Sequence, residues 1–402
     1  MKKDVLFLTG LFPKEIEKEI IENTKGAPQN AANVLQWNLT EGFDMNLETP
    51  VKLVNALFIG SYPQRYKKAK IKDMPFSHVE NSKDINVGFC NLAVIKHFSR
   101  RHKINSIVKK WAKTSVDDKV FIAYAMTNSS MSAIKCVKKH NSKIKTCLVV
   151  PDLPQYMNMS NKVSLIYRIM KKLDWKKTKK AMKYVDSYAL LTEQMSSFLG
   201  VNNYVVVEGI ATNSFENVIA KKTKEKVVFY AGGLAEKYGI VDLVDAFKEI
   251  EGADYRLVLC GHGDAVEYIK TAQSEDNRIQ YLGVLPREQI LKLLVSSTVL
   301  VNPRKNTEEF TKYSFPSKIL EYLSSGTPVV TYKLDGIPDE YDSYMYYVKG
   351  DTIDDLATTI KTVCDKPEDE LREFGAVAKK FVLTEKNAKK QTEKILEFIE
   401  KV

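Results

Sequence analysis

Short apolar runs alternate with longer polar and apolar stretches along the whole chain. In the first half the candidate strands are Val5–Leu8, Val51–Leu57, Val120–Ala123, Thr146–Val150, Ser187–Leu191 and Tyr204–Val207. In the second half they are Lys226–Gly233, Tyr255–Cys260, Ile279–Leu282, Thr298–Asn302 and Pro328–Tyr332. Apolar strands separated by helical stretches are typical of parallel sheets with crossover helices. The pattern therefore predicts an α/β fold.

One polar span interrupts this alternation. Residues Gly209–Glu225 contain Asn, Ser, Thr and a Lys cluster, and we interpret them as a linker. The linker predicts one domain over residues 1–215 and a second over residues 216–384. A last helical stretch, Lys386–Lys401, lies in the remaining segment, 385–402.

The clearest chemical pattern lies in residues 313–330, where a polar loop leads into a short helix, a Gly-Pro turn and a strand. This order places Ser314, Phe315 and Ser317 near a helix N-terminus. Unpaired backbone N–H groups and the positive end of the helix dipole meet there, which suits a phosphate group. Lys318 adds a positive charge at the same place.

Glu321 follows Lys318 by one helical turn on the same face, where its carboxylate can accept hydrogen bonds from a ribose diol. Phosphate and ribose positions together predict a nucleotide site. The segment resembles the donor-site signature of retaining GT-B glycosyltransferases, in particular glycosyltransferase family 4. Glu321 matches the second of two glutamates in that signature, whereas Tyr313 stands at the first. In the family the first glutamate contacts the donor sugar; Glu308 and Glu309, just upstream, are candidates for that contact, and the sequence leaves open whether either replaces it.

The resemblance also implies a fold and a reaction. The fold is GT-B, with two Rossmann-like doubly wound domains that face a central cleft. Residues 1–215 then bind the acceptor, residues 216–384 bind the nucleotide sugar, and the helix in 385–402 crosses back to the N-terminal domain. The implied reaction transfers a hexosyl group, with retention, from a UDP- or GDP-linked sugar to a glycan. The acceptor is expected to be lipid-linked and the pathway to be surface polysaccharide assembly.

Gly232 and Gly233 end a predicted strand and allow the backbone to approach a phosphate closely, although an ordinary strand-to-helix turn uses such pairs as well. In the resembled family, an arginine and a lysine clamp the diphosphate in this region. Here Gly233 and Tyr238 occupy those positions, with Lys237 beside them. Arg304, after the next-to-last strand, is our candidate for the missing cation; a surface salt bridge is the alternative.

The predicted catalytic residues are therefore Arg304, Lys318 and Glu321. The two cations and the helix N–H groups stabilise the leaving diphosphate, and Glu321 orients the ribose. The family's nucleobase loop corresponds to Gly283, Val284 and Leu285, and recognition there through backbone groups leaves the base undetermined. Because no Asp-x-Asp cluster with acidic neighbours ends a strand, we expect neither a required metal nor a cofactor.

The first half is expected to hold the acceptor. Gly10 follows the first strand, and Asn30 lies where a polar loop starts a helix. Tyr124 and Asn128 occupy the place where many members of the resembled family carry a histidine near the reacting sugar. Asp152 lies between two prolines and fits a turn cap as well as a cleft residue.

Composition fits this picture. With 402 residues and 44% hydrophobic content, the chain can form two cores. Its five cysteines show no paired spacing, which indicates free thiols in a reducing cytoplasm. The apolar start is short and leads into a Gly-Pro turn, so we interpret it as a first strand and not as a signal peptide. No apolar run is long enough to span a bilayer.

The net charge of +11 leaves alternatives open. Lys162–Lys177 alternates basic and apolar residues at helical spacing and contains Trp175, which fits either a solvated helix or peripheral contact with an anionic membrane at its inner face. A nucleotide-sugar epimerase of the same architecture would turn over the donor alone. A basic nucleic-acid-binding protein would explain the charge, but no motif for it is present, and we expect no nucleic-acid partner.

Overall fold

The computed structural model describes residues 1–116, 118–154, 165–219 and 223–402, with the backbone alone for 165–173. It divides into two compact units. Unit 1 comprises Met1–Ile210 and Ala388–Val402, and unit 2 comprises Ala211–Asn387. The division falls a few residues before the boundary expected from the sequence. Phe215, at the end of the expected first domain, is buried in the core of unit 2.

Unit 1 is built on an eight-stranded sheet in the order β10-β9-β8-β7-β1-β2-β5-β4. Its neighbouring strands are parallel except β4, which runs antiparallel to β5. A separate antiparallel pair is formed by β3 and β6. The strands are β1 Asp4–Thr9, β2 Lys52–Asn55, β3 Lys70–Ile71, β4 Met74–Phe76, β5 Asp84–Asn86, β6 Phe89–Cys90, β7 Lys119–Tyr124, β8 Lys145–Val150, β9 Ser187–Leu190 and β10 Tyr204–Val206.

The helices of unit 1 include the last one of the chain. They are α1 Glu17–Asn23, α2 Asn30–Asn46, α3 Ile95–Ala112, α4 Asn128–His140, α5 Leu165–Met182, α6 Gln194–Leu199 and α13 Ala388–Lys401. Helix α13 packs against α2. Gly42 permits this approach, because a Cβ there would lie 2.2 Å from the carbonyl oxygen of Ala388.

Unit 2 contains a six-stranded parallel sheet in the order β13-β12-β11-β14-β15-β16. Its strands are β11 Lys226–Gly233, β12 Tyr255–His262, β13 Ile279–Tyr281, β14 Val299–Asn302, β15 Val329–Thr331 and β16 Tyr346–Tyr347. Its helices are α7 Ile240–Glu249, α8 Val266–Glu275, α9 Arg287–Ser296, α10 Ser317–Ser325, α11 Ile353–Cys364 and α12 Glu368–Glu385.

Local sequence explains how these helices begin and end. Thr352 and Asp355 form a reciprocal capping box at the start of α11. Helix α10 ends at Gly326, whose φ of 79° is the left-handed conformation that glycine adopts at low cost. The central strands are buried along their length because helices cover both faces of a parallel sheet.

Every strand predicted from an apolar run is present, with shifts of one or two residues at the ends. The short strands β3 to β6 and β16 were not predicted, because two or three residues give too little periodicity to recognise. None of the described helices is long and apolar enough to cross a bilayer.

The predicted membrane-binding segment, Lys162–Lys177, lies partly outside the described residues. Within the part that is described, Trp175 is half-buried, and its ring centroid lies 6.2 Å from that of Phe198. This indole therefore has a packing contact within unit 1, and membrane contact by the segment stays a prediction.

Candidate active site

The carboxyl end of β11 and the first turn of α10 meet in unit 2. The Lys318 ammonium group donates a hydrogen bond to the carbonyl of Ala231. Gly232 provides the space for it, since a Cβ on this residue would lie 1.3 Å from Nζ of Lys318. Its φ of 150° is also one that residues with side chains rarely adopt. The structure thus brings together two residues that the sequence placed at one phosphate site.

Gly232 has a second close neighbour, Gly261 of the adjacent strand β12. A Cβ on Gly261 would lie 1.7 Å from the carbonyl oxygen of Gly232. The adjacent parallel strands β11 and β12 therefore approach each other here with no side chain between them. Gly261 therefore has a packing role at this point.

Lys318 is a half-buried cation. Its Nζ lies 4.9 Å from the ring centroid of Tyr230, which favours the charged form through the negative face of the ring. Burial nevertheless lowers the pKa of Lys318 to about 8, and the nearby Glu321 carboxylate opposes that decrease. A group with these properties binds an anion more strongly than a solvated lysine does.

Arg304 lies just after β14. Its Nη2 donates to Oγ of Ser314 at 3.0 Å, and its guanidinium lies 4.7 Å from the ring centroid of Phe310 and 5.8 Å from that of Tyr238. Its buried Nε has no hydrogen-bond partner, and burial lowers its pKa. Within the described chain no carboxylate lies within ion-pair distance of it, which disfavours the surface salt-bridge alternative.

Helix α10 starts without a side-chain cap, at Pro316, and Ser317 is its first residue. This leaves first-turn N–H groups available to a ligand.

The placement of the Phe315 side chain differs from expectation. Its side chain is buried and lies 5.4 Å from the ring of Tyr341, so it belongs to the core and only its backbone faces the loop. Tyr313, half-buried, ends the preceding 3-10 turn.

Two other parts of the predicted loop are exposed. Glu308 and Glu309, proposed as substitutes for the family's first glutamate, are both open to solvent. Lys237 is exposed too, and its Nζ lies 5.4 Å from the ring centroid of Tyr238. These side chains can reach a ligand, but no contact to the buried cations holds them in place.

Glu321 has a partner that the sequence analysis missed. Its Oε1 lies 2.7 Å from Nη1 of Arg287, although the angle does not meet hydrogen-bond geometry. The Arg287 side chain is 61% exposed, so it can move aside for a ribose. A signal was present in the sequence. A basic residue in the first turn of a helix opposes the helix dipole, which suggests a role other than helix stability.

The expected nucleobase loop follows β13. Gly283 has a φ of 69°, and its carbonyl accepts a hydrogen bond of 2.8 Å from the N–H of Gly261. Val284 is 75% exposed, and Leu285 is half-buried. An exposed valine beside a fixed backbone turn offers an apolar surface on which a planar base can lie.

The acceptor candidates of unit 1 fall into two groups. Gly10 and Tyr124 are structural. A Cβ on Gly10 would lie 2.0 Å from the Phe58 ring, and Tyr124 is 2% exposed with its ring 6.0 Å from the same phenylalanine. Burial raises the pKa of Tyr124, and the nearby Asp152 contributes. The expectation that Tyr124 faces a cleft is therefore wrong.

The other three acceptor candidates are accessible. Asn30 and Asn128 are the first residues of α2 and α4, and neither is buried. Asp152 reaches solvent, yet the protein around it removes enough water to raise its pKa to about 6. A carboxyl with such a pKa can exchange protons near neutral pH.

Comparison with known proteins gives the class of unit 2. Residues 212–381 match the family described as "Glycosyl transferases group 1". This range covers nearly all of unit 2, so the residues around Lys318 lie in a glycosyl transferases group 1 domain.

Solved structures of similar fold include two that each cover 99% of this chain. Sucrose-phosphate synthase from Thermosynechococcus elongatus has a TM-score of 0.64 at 14% identity and 99% coverage of both chains. The lipopolysaccharide outer core galactosyltransferase WaaB has a TM-score of 0.63 at 16% identity and 99% coverage of both chains. At these identities the likeness concerns the fold, and it confirms the predicted GT-B class.

The curated relative is the amylovoran biosynthesis glycosyltransferase AmsK of Erwinia amylovora. It is 24% identical over 111 residues, which are 26% of this chain and 27% of the relative. The match therefore spans about a quarter of that protein. Domain match, fold and relative together support a glycosyltransferase.

Proposed function

We propose that the protein is a retaining glycosyltransferase that moves a hexosyl group from a UDP- or GDP-linked sugar to a glycan acceptor. The acceptor is lipid-linked, and the product belongs to a surface polysaccharide. The placement of Lys318 is the observation that supports this best: a half-buried cation next to Gly232 and an uncapped helix N-terminus, within the range that matches the group 1 family. The names of AmsK and WaaB agree with a polysaccharide product.

In the reaction, the bond between the anomeric carbon and the diphosphate oxygen breaks, a bond from that carbon to the acceptor hydroxyl oxygen forms, and the hydroxyl proton passes to the departing diphosphate or to solvent. Negative charge then grows on the departing diphosphate. Lys318, Arg304 and the first N–H groups of α10 are arranged at one edge of the unit 2 sheet to stabilise that charge. Because these groups are held in place before reaction, they need little reorganisation in the transition state.

A thermal-shift panel of UDP, GDP and ADP tests the nucleotide part. A diphosphate at one hundred times its Kd stabilises the folded state by about 2.7 kcal/mol, which raises Tm measurably. We expect one of the three to do so, and the Lys318→Ala variant to lose the effect. A wild-type protein that responds to none of them, and hydrolyses no nucleotide sugar, would contradict the proposal.

Replacement of Glu321 by alanine is expected to weaken donor binding or turnover at least about tenfold, since a hydrogen bond to a charged group contributes about 1.5–3 kcal/mol. Steady-state kinetics measures this, with the exposed Glu288→Ala as the matched control. Arg287→Ala separates two explanations. If it reproduces the loss in full, Glu321 acts through the ion pair and not through the ribose.

Activity is expected to survive EDTA, because side-chain cations and helix N–H groups hold the diphosphate. Among the residues that the structure describes, no group of three or more His, Cys, Asp or Glu side chains is arranged to hold a metal ion. Turnover measured before and after chelation tests this. A complete loss that manganese or magnesium restores would show the prediction to be wrong.

The value of kcat/KM is expected to fall as pH rises through about 8. Lys318 must be charged to stabilise the diphosphate, and it loses its proton in the free enzyme at this pH. Since Glu321 favours the charged lysine, Glu321→Gln should move the alkaline limb to lower pH. A flat profile from pH 7 to 9.5 would exclude Lys318 as the titrating group.

We also propose peripheral contact with an anionic membrane, at its cytoplasmic face. The net charge of +11 supports it, as do the exposed side chains of Lys176, Lys177, Lys179 and Lys180 on α5. Co-sedimentation with vesicles of anionic lipid at low salt tests this, and an absence of binding would exclude it.

A further inference from the structure

Unit 1 contains a cavity of about 620 Å³ on the side of the sheet where β2 and β7 end. Three basic residues line it: Lys25, Arg65 and Arg100. None of its described lining residues is acidic. Thr127, the N-cap of the 13-residue helix α4, also lines it, so the positive end of that helix dipole faces the same space.

Arg100 and Lys96 lie on consecutive turns of α3, and both side chains are buried, with 9% and 7% exposure. Arg100 donates to the carbonyl of Leu57, and Lys96 donates to the carbonyl of Ile59. Within the described chain neither cation has a carboxylate at ion-pair distance. The Nε of Arg100 is buried and has no hydrogen-bond partner.

Buried cations without a counter-charge are costly, because neutral carbonyls replace hydration only in part. Because burial disfavours the charged forms, it lowers the pKa of Lys96 to about 7 and that of Arg100 to about 10. The Arg100 guanidinium is held 4.4 Å from the ring centroid of Phe89, which fixes its position. A fixed, uncompensated arginine at a cavity wall is arranged to receive an anion.

We propose that this cavity binds a phosphoryl group, with Arg100 as its principal ligand and the lining residues Lys25 and Arg65 as further cations. Assigning that phosphoryl group to the acceptor rests on the proposed function, whereas anion binding itself does not. Arginine presents a planar fork that matches phosphate oxygens, and its free Nε–H is one side of that fork. The acceptor class is then a phosphate-bearing molecule and not a neutral glycan.

The phosphoryl group can belong to a lipid or to a free sugar phosphate. Helix α3 favours the lipid, since Val94, Ile95 and Phe98 at its start are 50–62% exposed. Exposed apolar side chains next to a cationic cavity suit a hydrocarbon chain attached to a phosphate.

Calorimetric titration with inorganic sulfate, a phosphate analogue that does not titrate near neutral pH, tests the site. We expect Arg100→Gln to weaken sulfate binding at least about tenfold, as loss of a charge-assisted hydrogen bond predicts. Arg101→Gln is the matched control, because it removes the same charge from the next, exposed position. Should Arg100→Gln fail to fold, as judged by thermal unfolding, Arg65→Gln, which removes a second lining cation, is expected to weaken sulfate binding as well.

Competition experiments then distinguish a lipid phosphate from a free sugar phosphate as the source of the phosphoryl group. Displacement of sulfate by a short-chain isoprenyl phosphate, and not by glucose 6-phosphate, identifies a lipid phosphate; the reverse identifies a free sugar phosphate. Sulfate binding that is absent in the wild type, or equal in Arg100→Gln and Arg101→Gln, overturns the inference. The sulfate titrations are repeated in the Lys318→Ala background, which weakens the phosphate site of unit 2, and nucleotide binding by unit 2 is measured separately. A failure of the proposed function then shows itself in nucleotide binding and not in the sulfate titration.

Discussion

Replacement of Lys318 by alanine is expected to lower kcat by about 100- to 1000-fold, the usual effect of removing one preorganised group that stabilises charge in the transition state. The charge on the diphosphate grows as the sugar leaves, so the effect on kcat should exceed that on donor KM. Lys318 is half-buried and partly desolvated, which strengthens its interaction with that charge.

Lys292→Ala is the matched control. Lys292 is an exposed lysine of α9 in the same unit, paired with Glu288, and its removal should change kcat by less than about twofold. Single-turnover measurements separate chemistry from product release. A Lys318→Ala variant that folds normally and retains the wild-type single-turnover rate would place the diphosphate-stabilising group elsewhere.

The second large effect on kcat is expected from the addition of one methyl group at Gly232. Gly232→Ala should lower kcat about 100-fold or more, since its Cβ would occupy a position 1.3 Å from Nζ of Lys318 and must displace that ammonium group. The positive φ at this position adds a strain of about 1–3 kcal/mol. Gly233→Ala is the neighbouring control, because its Cβ would meet only the edge of the Tyr238 ring at 3.2 Å.

A double-mutant cycle identifies the cause. If Gly232→Ala acts by displacing the lysine, adding Lys318→Ala to it should cost little further activity. Fully additive losses would show that the methyl group acts through the backbone or through stability instead. Thermal unfolding of each variant, measured in parallel, keeps the strain separate from the kinetic effect.

The sequence alone determined the fold class and the main elements of unit 2. Apolar runs that alternate with helical stretches can be recognised locally, because each strand and helix must bury its own residues. The loop, helix and Gly-Pro turn around Lys318 were predicted for the same reason: N-termini, turns and strands have local signals. The very short strands were missed because they depend on partners distant in the chain.

Only the tertiary structure decided which side chains are buried and what they meet. Phe315 and Tyr124 were predicted at ligand sites, yet both lie in the core, since burial depends on neighbours from other elements. The sequence carried a signal at Arg287, but not its partner Glu321, and it carried none for the isolation of Arg100, because residues remote in sequence create both arrangements. Local patterning specifies elements, whereas charge compensation is a property of their packing.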